Sequence, residues 1–196
     1  MNLQPITVRH HLQSLMDAGF IETYEERVRT AGRPKVYYRI AKEPNLINFP
    51  KRGYLTLSNF LINTLLFLFG TNRSNQILKK VGMNMGKNTI RRLEYENDIK
   101  EWSLEAYEEF FIKGYLEDEG TEPSIVEVSE NKIVYRLHNC LFFELALKMP
   151  EMICDVLHES FHEGVSEAMG KKLKISRRTC MGKGDLYCEH VCQVIK

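Results

Sequence analysis

The chain has 196 residues, room for one large domain or two small ones. Its 43% hydrophobic and 27% charged residues are those of an ordinary soluble globular protein, and a net charge of +1 by itself excludes no class of partner. The distribution says more: residues 1–53 hold nine Lys/Arg against five Asp/Glu, and the remainder 18 against 21. A basic front and a mildly acidic back suit a nucleic-acid-touching module joined to one that does not touch it.

The first predicted element is a helix. Pro5 fits its first turn, where the missing N–H costs nothing; Val8, Leu12, Leu15 and Met16 recur at helical spacing as a buried stripe, and Gly19 stops it. The opposite face carries Gln4, Thr7, Arg9, His10, His11 and Gln13, hydrogen-bonding and basic side chains of the kind that reach base edges. The pattern then changes to period two, with Ile21, Thr23 and Glu25 in one run and Val36, Tyr38 and Ile40 in the next. Between them a Gly-Arg-Pro tip is flanked by Arg29, Arg33 and Lys35, a cationic hairpin suited to phosphates or the minor groove.

Helix, Ala-Gly-Phe-Ile, strand, Gly-Arg-Pro-Lys-Val-Tyr-Tyr-Arg and strand together resemble winged helix-turn-helix regulators of the arsenic-repressor type, over roughly residues 1–40. The resemblance implies binding to double-stranded DNA as a homodimer, because two-fold operators require paired recognition helices. Such domains carry one or two helices ahead of the recognition helix. Here Met1 falls within the turn before it, so the expectation is an upstream continuation, or a wing propped by a partner or by the second domain.

Residues 42–53, with Pro44 and Pro50, are predicted to be a linker, and 54–196 a second domain. Tyr54 to Gly70 is the most apolar run. It contains Asn59 and Asn63 and is shorter than the ~20 residues of a membrane span, so it is expected to be a buried helix with Leu57, Phe60, Leu61, Thr64, Leu65 and Leu68 inward. A second helix over 73–93 turns Ile77, Leu78, Val81, Met85 and Ile90 inward, and Gly82 and Gly86, four apart, allow another backbone close. Ser103 caps a helix with Tyr107, Phe110 and Phe111 inside. Strands over 124–128 and 132–137 form a hairpin, a long helix covers 151–169, and strands over 173–179 and 187–195 close the domain. The expected class is α/β, in the α+β sense: a partial winged helix followed by a sensor domain of antiparallel sheet plus helices.

All five cysteines lie in the last third. Five is odd and no secretory signal is evident, so a cytoplasmic protein with metal or redox chemistry is expected rather than a disulfide scaffold. Cys140 is placed at the end of a strand, Cys154 near the start of the long helix, and Cys180 and Cys188 across the Gly-Lys-Gly-Asp turn. Four such thiolates satisfy tetrahedral zinc or the irons of an iron–sulfur cluster; Cys192 is a substitute ligand or a redox partner. The run around Asn139-Cys140-Leu141-Phe142, then Cys154, then Arg178-Thr179-Cys180 through Cys188 resembles the vinyl-4-reductase domain, with Gly82 and Gly86 similar to that family's glycine pair. The resemblance covers roughly residues 55–196 and implies a sensor of a small apolar effector, of redox state or of a metal. In the aromatic sensors of that family, cysteines matching Cys154, Cys180 and Cys188 bind zinc with a glutamate. This chain has Arg177 there, which cannot be a ligand and makes Cys140 the expected fourth. A competing motif, His158-Glu159-Ser160-Phe161-His162, is the spacing of a zinc-dependent hydrolase, but no histidine stands at the usual third-ligand spacing. No catalysis is expected. The alternative to a DNA-binding regulator is a metal-binding sensor or scaffold that does not bind DNA.

Overall fold

The computed structural model describes residues 4–26, 35–40 and 52–195, the side chains of Glu25, Glu26 and Lys35 excepted. It is an α+β fold in two compact units, Met1–Tyr54 and Leu55–Lys196.

In the first unit, helix α1 (Pro5–Asp17) begins with Pro5 and ends in the left-handed Gly19, φ 75°. The Gly19 N–H donates to the Met16 carbonyl and the Phe20 N–H to that of Leu15, the double bond that closes a helix through glycine. Strands β1 (Ile21–Glu26) and β2 (Lys35–Ile40) pair antiparallel from Ile21↔Ile40 to Glu26↔Lys35. The Tyr24 and Tyr37 rings stack at 5.5 Å, and Arg39 pairs with Glu22 at 2.7 Å. The predicted apolar stripe of α1 is not buried: Val8 is 38% and Leu15 41% exposed. One helix and one two-stranded sheet supply too few layers to close a core over it.

In the second unit, α2 (Tyr54–Asn97) is two helices joined at Gly70, whose φ 66° and ψ 172° are essentially restricted to glycine. The expectation of a buried first half is overturned. Phe60, Leu61, Phe67 and Leu68 are 57–88% exposed; the half-buried positions include Ile62, which packs on the small cluster around Leu145 and Ala146, Leu66, and the predicted Thr64 and Leu65. In the second half Ile90 is buried and Ile77 and Leu78 half-buried, as predicted, but the face is rotated at its middle. Val81 and Met85 are exposed, while Ser74, Gly82, Gly86, Ile90 and Leu93 are buried. Backbone approach decides this. A Cβ on Gly82 would lie 2.3 Å from the Leu157 carbonyl oxygen, one on Gly86 2.1 Å from that of Phe161, and one on Gly164 2.1 Å from that of Met83.

Ser103 accepts from the Ala106 N–H at 3.2 Å and opens α3, Leu104–Ala106, which runs on as π-helical turns over Tyr107–Leu116. Strands β3 (Pro123–Ser129) and β4 (Lys132–Leu137) form the predicted hairpin. A short α4 (Phe143–Lys148) precedes α5, which is π-helical over Glu151–His158 and α-helical over Glu159–Ala168. Strands β5 (Leu173–Arg177) and β6 (Cys188–Val194) complete an antiparallel sheet of order β3-β4-β6-β5. The register sets Tyr135 opposite His190 and His190 opposite Arg177, so all three share the sheet face that holds the core. At its centre the hydroxyls of Tyr107 and Tyr135 bond to each other at 2.8 Å, both rings fully buried.

Candidate ligand cavity and metal-ligating clusters

A cavity of about 100 Å³ lies within the second unit, walled by Leu116, Leu137, Leu141, Ile153, Leu157 and Phe161. Gly82 and Met85 of α2 close one side; His158 and Arg177 are polar groups on its lining. Cys140, Cys154, Cys180 and Cys188 all face it. The fold thus gathers the four predicted cysteines around one space. Cys140 is not at a strand end as expected: β4 stops at Leu137, and Cys140 sits in the following turn, its carbonyl accepting from the Phe143 N–H.

The turn between β5 and β6 explains the spacing of its cysteines. The Asp185 carboxylate accepts the Cys180 N–H at 2.7 Å, the Lys183 and Asp185 N–H groups return to the Cys180 carbonyl, and Gly184 takes φ 100°. The Met181 N–H points at Cys188 Sγ, 3.3 Å away, a donor that favours thiolate. Gly182 presses on Cys154, where a Cβ would meet Sγ at 2.8 Å. Burial pushes the Cys154 thiol up to about 12, helped by its bond to Cys180, and Cys188 up to about 11. Thiols so placed ionise only against a cation. Cys192, fully buried and also raised to about 12 by burial, lies toward the tyrosine pair.

Arg177, where the family resemblance implied a glutamate, is an anchor. Its guanidinium donates to the Cys154 carbonyl at 3.0 Å and to Asp155 at 2.6 Å, and Lys183 joins Asp155 at 2.7 Å. The π-helical start of α5 is thereby tied to β5 and to the cysteine turn.

The histidine motif acquires a third member that spacing in the sequence did not reveal. His158 and His162 lie one turn apart on α5 with ring centroids 4.5 Å apart, and β6 brings His190 to 4.7 Å from His162 and 5.8 Å from His158. One ligand atom from each falls within 4.8 Å of the others, and among the described residues this trio is the group that meets such a limit. His162 is 4% exposed and His190 not at all. His162 Nδ1 and both His190 nitrogens make no hydrogen bond of good geometry among the described residues, each an omission that costs about 1–3 kcal/mol if nothing fills it. Burial lowers His158 to about 4 and holds His162 and His190 well below the usual imidazole range, so all three are neutral. The signal available in the sequence was the alternation Cys188, His190, Cys192, which puts three potential ligands on one strand face.

Of the predicted DNA-reading residues, Gln4, Arg9, His10, His11 and Gln13 are exposed on α1 and Thr7 is half-buried. Gln13 is engaged with Asp17 at 2.8 Å. Arg29 and Arg33 lie outside the described residues, as does the side chain of Lys35.

No protein-family model and no curated protein matches this sequence. Among solved structures the fold is similar to the phenol-responsive sensory domain of the transcription activator PoxR, in complex with phenol. That match has TM-score 0.52 and 13% identity, covering 97% of this chain and 92% of that one. A trafficking protein particle complex subunit 3 from Naegleria fowleri, covalently bound to palmitic acid, aligns with TM-score 0.49 and 16% identity, over 73% of this chain and 94% of that one.

Proposed function

We propose that this chain is a ligand-responsive transcription regulator, in which the second unit senses a small apolar molecule and the first reads double-stranded DNA. The apolar cavity of about 100 Å³ carries the reading. It is somewhat smaller than the ~150 Å³ apolar cavity that accepts benzene, and so suits a single-ring ligand. The PoxR domain that shares the fold responds to phenol. Calorimetry with phenol as probe is the test: saturable binding is expected, and Leu157→Trp, which fills the cavity, should abolish it. Absence of binding by phenol and other single-ring compounds would reduce the cavity to a packing gap.

The cysteines supply the second part of the reading. Cys140, Cys154, Cys180 and Cys188 would hold zinc, which would brace the turn at the cavity wall; an iron–sulfur cluster is the alternative with the same donors. Anaerobic purification with elemental analysis separates them: visible absorbance with iron and sulfide means a cluster, and a colourless zinc protein means a clasp.

A homodimer would pair the DNA-reading helices, and the exposed apolar half of α2 offers the surface for a second copy. DNA binding by Arg9, His10 and His11 with the Arg29, Arg33 and Lys35 wing should fall with salt, and removing the wing cations should flatten that dependence. A second reading rests on coverage. The match to a sensory domain spans 97% of this chain, which favours α1 and the hairpin as part of the sensor and a chain that does not bind DNA. No salt-dependent DNA binding by the full chain would decide for it.

A further inference from the structure

Only His158 of the imidazole trio reaches the lining of the apolar cavity, and His162 and His190 are used by neither the cavity nor the cysteines. We propose that His158, His162 and His190 hold a divalent transition-metal ion, zinc foremost, in an all-nitrogen site separate from the cysteine set.

The argument begins with what is unpaired. His190 is fully buried on β6, yet neither of its ring nitrogens makes a hydrogen bond of good geometry among the described residues, the Cys188 backbone giving it only a weak contact, and Nδ1 of His162 is unpaired there too. The groups nearby are already engaged. The Tyr135 hydroxyl, on the ring stacked against His190 at 5.4 Å, is bonded to Tyr107, and the Arg177 guanidinium is bonded to Asp155 and the Cys154 carbonyl. A leucine would fill the place of His190 with no polar atom to satisfy. What three neutral imidazoles do better than apolar side chains is donate lone pairs to a cation, and imidazole suits zinc, copper and nickel.

Geometry agrees. Ligand atoms within 4.8 Å of one another need to close to about 3.3 Å to sit ~2.0–2.1 Å from one zinc, a small rotation of rings already gathered. Two of them come from one helix face and the third from a strand opposite, so the ion would pin α5 to β6. The surroundings are closed. His162 and His190 are buried, and His158 alone of the three reaches the cavity lining. Three protein ligands leave a fourth position on the ion, for a water or for a cavity ligand that reaches it on the His158 side.

X-ray absorption of the zinc-loaded, fully reduced full chain tests the site without any substitution. Nitrogen scatterers with the outer shells of imidazole are expected, whether or not a sulfur shell accompanies them. A sulfur shell alone, or no zinc retained after gel filtration, would overturn the proposal. Cobalt(II) titration adds the variants. A d–d band should persist in Cys180→Ser and disappear when His158→Ala or His162→Gln is added to that variant, with far-ultraviolet circular dichroism confirming that each is folded. A cobalt signal with a thiolate charge-transfer band, lost entirely in Cys180→Ser and unchanged in His158→Ala, would overturn the trio and leave the cysteine site standing.

Discussion

The buried tyrosine pair shows how much of this core depends on single atoms. Burial raises both phenols, so each stays neutral and one hydroxyl donates to the other. Tyr135→Phe strands the Tyr107 hydroxyl and should cost about 1–3 kcal/mol in urea unfolding, while the double change to phenylalanine should lie closer to wild type. The histidines make a second prediction at this scale. In the metal-stripped protein His158 has its pKa near 4 against the usual 6.5, because it is desolvated and near Arg177. Between those values the unfolded chain binds the extra proton, so stability is complete above pH 6.5 and falls as pH drops toward 4. His158 alone should make the protein about 1–2 kcal/mol less stable at pH 5 than at pH 7, with His162 and His190 shifting the same way, and His158→Gln should remove its share. The pairing of Cys180 with Cys188 was legible in the sequence because the Gly-Lys-Gly-Asp turn is local; the place of Cys140 was not, since β4 ends three residues before it. The histidine trio was not, because His190 on β6 meets His158 and His162 only where helix α5 packs on the sheet.

At the scale of elements, periodicity located the helices and strands well and their faces less well. The hairpin β3–β4, the Ser103 cap and the α5 span could be read from alternation and capping chemistry, which act over a few residues. The face of α2 could not. Its buried edge is set by glycine, which carries no hydrophobic signal, and the exposed Val81 and Met85 satisfy the same period as the buried positions. The glycine spacing itself did foretell the close approach. Gly86→Ala should destabilise by about 1–3 kcal/mol or more, since its methyl would meet a backbone oxygen at 2.1 Å, whereas alanine at half-buried Gly114, with 3.5 Å to its nearest neighbour, should cost far less. Parallel denaturation curves decide this.

For the molecule as a whole, the exposed leucines and phenylalanines of α2 are the largest departure from what the sequence suggested. Within Tyr54–Asn97 an 18-residue window of mean hydropathy 1.3 has no buried residue. A lone chain gains nothing from such a surface, and a second copy would cover it. Phe60→Asp with Phe67→Asp should convert a dimer to a monomer in analytical ultracentrifugation, with the cavity's ligand affinity unchanged. A wild-type monomer that floats with lipid vesicles would assign the surface to a membrane instead.

The contact of Gly82 and Gly86 with α5 has a mechanical consequence. Where backbone meets backbone no side chain is left to yield, so residues 71–97 and α5 form one stiff part. Any displacement of α5 by an occupant of the cavity would then be carried undiminished to Gly70, the joint beyond which the apolar arm begins.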